Sequence, residues 1–497
     1  MHHARRLLLS TIGFASLAAC ASYPINAPLD EIDLSSGYRL NNLALGDKNS
    51  DETFVILALS GGGVRAAALD FGIMQQLDRV HLGDDGRTLL DEVDVISSSS
   101  GASIPAAYYG LYGKDVFLRD FRDDVLYLQI QSALTKRILN PKHWPRLMSG
   151  RFSRGDLIVE YLDEKIFDNH TFADMQQQRP LILLNATDIG IGSQFTFTQT
   201  GFDQLCSDLS PFHIARAVTA SMAFTPGFTP IALKNYNDGR CGDTVPGWAR
   251  QALQNGMEAD PTVFALAERI LSYQDIEKRP YIHLLDSGIS DNIGIRTPAL
   301  AFTIRDAPES QVGRIEDGTI KRVVVILVNA RPKSDFKGDL SPKPPKAITT
   351  ITASASRPLA NYSYETVNLI RRDIQDARNR TIGYYEKRAS CSTHALAMCA
   401  DQAANDSCRQ RIEMSCFKEF GVSDDGGPPA LDIYLIHISF NLIEDRKRRE
   451  RFETIPTKLE LSREDVDALI DVAPELLREE PEFQLLLNDL NAEYTDR

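Results

Sequence analysis

The segment Val55-Ile56-Leu57-Ala58-Leu59-Ser60-Gly61-Gly62-Gly63-Val64-Arg65 constrains this chain more than any other. An apolar, β-branched run breaks into three glycines, and beyond them Leu69, Ile73, Leu77 and Val80 recur at the spacing of one helix face. Glycines let a backbone approach a ligand without Cβ clashes, and the amides that open the helix point at whatever sits there. The unit is therefore built for an anion, either a nucleotide phosphate or the oxyanion of an acyl transfer. No Gly-Lys-Ser/Thr follows the glycines, which argues against a phosphate-binding P-loop.

Val93-Asp94-Val95-Ile96 reads as a short buried strand, the serines 97–100 as a sharp turn, and Gly101 onward as another helix. Strand, helix, strand, turn, helix is the opening of a parallel α/β sheet. Further strands are expected at Pro180–Leu184, Phe195–Thr198, Ile282–Leu285, Val323–Val328 and Leu431–Ile436, with a helix from Ile214 to Met222. A long helix after about 356 precedes a cysteine-rich insertion, and helical spacing returns from Ser462 to Leu490.

Ser97-Ser98-Ser99-Ser100-Gly101-Ala102-Ser103 stands where a strand turns into a helix, the layout of a nucleophile elbow and equally of a serine-rich helix cap. Asp286-Ser287-Gly288 closes a later strand. Taken with Gly61-Gly62-Gly63-Val64-Arg65, these resemble the ordered motifs of the patatin-like phospholipases: Gly-Gly-Gly-x-Arg, a serine elbow, and Asp-Gly-Gly or Asp-Gly-Ala with Asp291-Asn292 trailing. Ala217 to Pro230 resembles that family's small-residue helix followed by Pro-Gly-Phe-x-Pro. The resemblance spans roughly residues 51 to 335, with a looser echo at 431–441. The family elbow is Gly-x-Ser-x-Gly, whereas here Ser98 and Ala102 replace the glycines around Ser100. A frame shifted by one makes Ser99 the nucleophile and puts Gly101 in the last glycine position; the motif register favours Ser100. Ser287 stands where glycine is usual, a mild change near a turn.

The resemblance implies an α/β, three-layer patatin-like fold with a mainly parallel central sheet flanked by helices, here with a Cys-rich helical insertion. It implies a Ser–Asp dyad in which Ser100 attacks an ester and Asp286 takes its proton. The amides of Gly61, Gly62 and Gly63 would hold the oxyanion, Arg65 fixing the loop or adding positive charge, and no metal or cofactor is required. Phospholipid or another acyl ester is the expected substrate, for a hydrolase or for an acyltransferase with the same residues; a catalytically inactive lipid-binding lipoprotein is the reading from outside enzymology. His394 or His437 would serve a conventional triad in chain order, while His283 points away from Asp286 because three residues along a strand reverse the face.

Arg5 and Arg6 precede an apolar run from Leu7 to Ala19, too short to span a bilayer and ending in small residues, as a secretory signal does. Leu17-Ala18-Ala19-Cys20 resembles the bacterial lipobox, which makes Cys20 the acylated N-terminus; Ala21, not aspartate, directs such a protein to the outer membrane. The expected organisation is a signal peptide at 1–19, a lipidated tether at 20–50, a catalytic domain at 51–445 with an insertion around 336–430, and a C-terminal helical segment at 446–497. Loss of the two signal arginines takes the formal charge of −14 to −16, unsuited to nucleic acid. The other six cysteines, Cys206, Cys241, Cys391, Cys399, Cys408 and Cys416, form an even set suited to disulfides in an oxidising compartment. A zinc cluster among the last four has only His394 nearby and no CxxC pair. Lys136–Arg154 reverses the charge locally, with Trp144 and Phe152 interleaved, which suits either an anionic lipid surface or a solvated loop. If Cys20 carries the anchor, Cys20→Ser releases the protein from membranes in a salt wash. Retention of that variant in the washed membrane fraction would refute the tether.

Overall fold

A computed structural model describes residues 25–224, 227–307, 309–332, 342–399, 405–422 and 431–494. The signal segment, Cys20 and Pro226 lie outside the described residues. Strand β1 (Thr53–Leu59) is buried along its whole length and passes through the glycine loop into α1 (Val64–Leu77). β2 (Val93–Ser98), equally buried, turns at Ser100 into α2 (Ser103–Phe121). Helices α3 (Ile130–Leu139) and α4 (Arg154–Leu162) then lead to β3 (Leu181–Asp188), which folds back as β4 (Ser193–Thr196). After α5 (Ile214–Ser221) come β5 (Ile231–Lys234), β6 (Tyr281–Leu285) and β7 (Arg322–Asn329). The chain continues through α6 (Ala347–Met398) and α7 (Asn405–Phe420) to β8 (Asp432–Ser439). It ends in α8 (Arg463–Asp471), α9 (Ala473–Arg478) and α10 (Pro481–Leu490).

These strands form one eight-stranded sheet in the order β8-β7-β1-β2-β3-β6-β5, with β4 paired to β3. The five from β8 to β3 run parallel, while β6 is antiparallel to both β3 and β5. Cover on both faces buries β1, β2 and β3 along their whole lengths, polar positions such as Asp94 and Asn185 included. On one face α1 and α2 meet through Phe71, Phe117 and Phe121, and Gly110 of α2 lies directly on Ile182. On the other, Phe302 packs edge-on to Phe54 at 5.5 Å, and Leu181 and Leu183 face Trp248 and Ile270 across a cavity of about 180 Å³.

Three expectations change. Residues 25–50 are not a free tether. Ala27–Pro28 pairs with Ser207–Asp208, the Tyr38 hydroxyl accepts a bond from Ile182 N at 3.0 Å, and Arg39 is paired with Asp203 at 2.7 Å. The apolar side chains of Tyr38, Leu40 and Leu43, scattered in a polar stretch, supply the burial. The segment after 446 is not separate either: Ile470 and Ala473 close on Gly72 of α1, and Val466, Leu469 and Leu476 belong to the same core as the sheet. Finally, the long helix does not stop before the cysteines. Cys391, Ala395 and Cys399 stand four residues apart on one buried face of its last turns, because no glycine or proline interrupts residues 384–399.

That face is stapled to α7 by Cys391–Cys416 and Cys399–Cys408, while Cys206–Cys241 closes a loop on the body. Around the staple only Cys391, Phe417 and Val422 form a small core of their own. Such a core is too small to hold two helices without the cross-links. Reduction is therefore expected to open the α6–α7 arm to protease first and to leave the sheet-bearing body intact. Peptide mapping after limited digestion, with and without reductant, checks this; equal protection of the arm in both states would contradict it.

Candidate active site

The glycine loop is held from behind. Ser60 N–H donates to Val328 O, and its hydroxyl accepts from Ala330 N at 2.9 Å. Gly63 has φ of +62°, and a Cβ there would lie 2.3 Å from Lys458 O, which instead accepts from Val64 N at 2.8 Å. Arg65 is fully buried and donates to Ala330 O and Ile455 O at 2.8 and 2.7 Å. Burial without a carboxylate partner lowers its pKa to about 10. Both bonds tie Arg65 to backbone carbonyls of neighbouring segments, while its second terminal nitrogen lies beside Gly62. The expectation for Gly61 needs correction, since its N–H donates to Asn292 O at 2.8 Å and is not available to an oxyanion. No such bond to the amide of Gly62 or Gly63 occurs among the described residues.

Opposite the loop, Ser100 sits between β2 and α2 with φ of 53°, a left-handed conformation uncommon for a residue with a Cβ. That twist carries its hydroxyl out of the strand to Asp286, and Oγ donates to Oδ2 at 2.8 Å. Ser100 N–H is held by Ser287 Oγ at 2.8 Å and Ser221 Oγ at 3.0 Å. Ser99 points the other way: it is fully buried, and its hydroxyl shares a 2.7 Å bond with Ser287 Oγ. Ser98, in the place of the first family glycine, is accommodated because its hydroxyl reaches Leu183 O and Ser103 Oγ, both at 3.2 Å. Gly101 has no such latitude, since a Cβ there would fall 2.4 Å from Gly63 Cα.

Asp286 ends β6. Its N–H donates to Ala223 O at 3.2 Å, Thr187 Oγ1 donates to its carbonyl at 2.9 Å, and Gly288 N–H donates to its Oδ1 at 2.8 Å. Desolvation raises the carboxyl pKa to about 6, against the opposing hydrogen bonds from Ser100 and Gly288. Asp291 closes the following turn by accepting from Ile293 N and Arg296 N, which places Asn292 against Gly61. The histidines lie elsewhere. His213 pairs with Asp163, His437 meets Asn329 at 3.2 Å, and among the described residues none bonds to Ser100 or Asp286.

Residues outside the three motifs complete the arrangement. Ser221 and Ser103 share a 2.7 Å bond, linking the end of α5 to the start of α2. Lys458, far away in sequence, backs the glycine loop. Ser221 and Ser103 stand in stretches already marked in the sequence, the small-residue helix and the serine cluster, whereas Lys458 carries no sequence signal. Ser287 is more than the mild change expected, because its hydroxyl joins Ser99, Ser100 and Ser221. A nucleophile-like hydroxyl on a carboxylate, facing amides, is a geometry for acyl transfer.

None of the curated proteins compared with this chain matches it. A family comparison does match: residues 57–299 fit the patatin-like phospholipase family, whose members are in general lipid acyl hydrolases. That range contains the glycine loop, the Ser100 elbow and Asp286, and this part of the chain is a patatin-like phospholipase domain.

Proposed function

We propose that the protein hydrolyses acyl esters of lipids with Ser100 as nucleophile and Asp286 as its direct base. The observation that carries this reading is the 2.8 Å bond from Ser100 Oγ to Asp286 Oδ2, made by a left-handed serine packed against the glycine loop, whose Gly62 and Gly63 amides have no acceptor among the described residues. As Oγ attacks the carbonyl carbon, its proton passes to Asp286 Oδ2. The carbonyl oxygen becomes an oxyanion bonded by the amides of Gly62 and Gly63; losing one such donor typically costs about 3 kcal/mol. Collapse expels the alcohol, which takes the proton back from Asp286 and leaves the acyl group on Oγ. Water then attacks that ester, gives its proton to Asp286, and the fatty acid leaves as Oγ is reprotonated. The helix α2, whose N-terminus lies behind Ser100, favours the negative charge that develops there.

We also place the protein in the bacterial envelope, held at the outer membrane by acylated Cys20. The lipobox-like Leu17-Ala18-Ala19-Cys20 supports this. Phospholipid is then within reach without dissociation into water.

Two measurements test the dyad. Ser100→Ala is expected to abolish ester hydrolysis and labelling by a fluorophosphonate, and Asp286→Asn to lower kcat by roughly a hundred- to ten-thousandfold with the fold retained. Labelling that survives Ser100→Ala and disappears in Ser99→Ala would move the nucleophile by one residue. The second concerns pH. A base must be ionised, and burial holds Asp286 at about 6, so kcat/KM should climb through that pH and level off by neutrality. A limb instead centred above neutrality, or one unchanged in Asp286→Asn, would point to another base.

A further inference from the structure

The acidic chain reverses its charge locally over one excursion, as it also does at Arg446–Arg451. From Lys136 to Arg154 it carries Lys136, Arg137, Lys142, Arg146, Arg151 and Arg154 and no acid. The excursion leaves α3, makes a short turn at Pro141–His143 and one helical turn at Trp144–Leu147, and returns at Ser153, which caps α4. It also exposes large apolar side chains: Leu139 is 67% accessible, Trp144 49% and Met148 84%. Trp144 and Met148, four residues apart, project from one side of that turn. Single exposed apolar residues are ordinary, but such a group within one short cationic excursion marks a contact surface. Part of the charge is turned inward, since Arg137 pairs with Glu164, and Arg146 pairs with Glu160 and stacks on Phe152. Lys136 and Lys142 are exposed and make no ion pair among the described residues.

The helices on both flanks of the excursion are hydrogen-bonded to segments that also support the site. At one end, Ser132 N–H and Oγ donate to the Glu460 carboxylate, each at 2.8 Å. Glu460 lies two residues beyond Lys458, the residue that backs Gly63. At the other, Thr229 Oγ1 donates to Ser153 Oγ at 2.9 Å and accepts from Gly155 N at 3.0 Å. Thr229 follows in sequence, by six residues, Ala223, whose carbonyl receives Asp286 N–H. The basic, apolar-tipped excursion thus bridges the support of the oxyanion loop and the support of the base.

Resting on the lipid-hydrolase reading above, we propose that residues 136–152 are the face by which the enzyme seats on an anionic phospholipid bilayer. Leu139, Trp144 and Met148 enter the interface, Lys136 and Lys142 meet headgroup phosphates, and the bridge to both supports turns Ser100 toward the lipid. Charge complementarity favours this partner, since a net acidic protein is repelled by such a surface except where its sign reverses; of the two basic stretches, only 136–154 joins that reversal to exposed Leu139, Trp144 and Met148 among the described residues.

The test uses the full chain carrying Cys20→Ser, so that no acyl anchor contributes, and Ser100→Ala, so that no lipid is consumed. Vesicles of phosphatidylcholine alone are compared with vesicles that also contain phosphatidylglycerol. The expected result is a blue shift of Trp144 emission on the anionic vesicles only, reversed by high salt; the other tryptophan, Trp248, is 9% accessible and reports little. Lys136→Gln with Lys142→Gln should weaken binding about thirtyfold at low salt, and Trp144→Ala with Met148→Ala should weaken it by a comparable factor, followed by vesicle sedimentation. All four side chains are exposed, so unchanged thermal melting verifies the fold. Equal binding to neutral and anionic vesicles, or binding indifferent to these substitutions, overturns the proposal. With Ser100 intact, the same substitutions should reduce turnover of vesicle phospholipid while sparing a soluble short-chain ester. Binding to anionic vesicles through these residues by a chain that turns over no ester would uphold the docking face and remove the hydrolase reading.

Discussion

The contact between the glycine loop and the serine elbow is the constraint on which the rest of the structure depends. Gly101 and Gly63 meet backbone to backbone, so closely that a Cβ on Gly101 would overlap Gly63, and Gly63 is itself pressed against Lys458 O. This stack fixes the elbow against the loop that carries the amides of Gly62 and Gly63. It also explains why two adjacent parallel strands, β1 and β2, begin the fold: only neighbours in the sheet bring their C-terminal turns this close. Arg65, buried with backbone carbonyls as its acceptors, and the C-terminal segment around Lys458 keep the loop from relaxing away.

Behind the elbow lies a cluster of neutral hydroxyls. Ser99, Ser103, Ser221 and Ser287 satisfy one another and hold Ser100 N–H in a buried setting. A buried polar network with every member bonded rigidifies its surroundings. That rigidity offsets the left-handed strain at Ser100, of order 1–3 kcal/mol for such conformations. With no cation bonded to it among the described residues, Asp286 is left to desolvation, and its raised pKa follows. A carboxylate that binds its proton more tightly than usual is a better partner for a hydroxyl that must give one up.

The parts remote from the dyad obey different physics. The α6–α7 arm has little core of its own and relies on covalent staples. The excursion at 136–152 keeps its apolar tips exposed although the body has ample core to cover them. The anchorage of its flanking helices to segments that support the site makes its orientation a property of the catalytic architecture.

Much of this was legible in the sequence because it is written in local pattern. Apolar runs marked β1, β3 and β7, a short β-branched run marked β2, and helical spacing marked α1 and the C-terminal helices, since side-chain period reports directly on burial. The glycine triplet, the serine cluster and Asp286 were visible as residue types that only special backbone or chemistry requires. Short β5, at the antiparallel edge, carried too few residues for any period to register. The adherence of residues 27–43 to the body, the joining of Lys458 and α8 to α1, and the bond that withdraws Gly61 from the oxyanion loop all depend on contacts across long sequence separations. Likewise the choice between Ser99 and Ser100 as the partner of Asp286 turns on one dihedral, φ of 53° at Ser100. Composition cannot express a dihedral that is imposed by packing from Gly63, Ser221 and Ser287, and so the sequence by itself determined the chemistry available while tertiary structure decided which atoms meet.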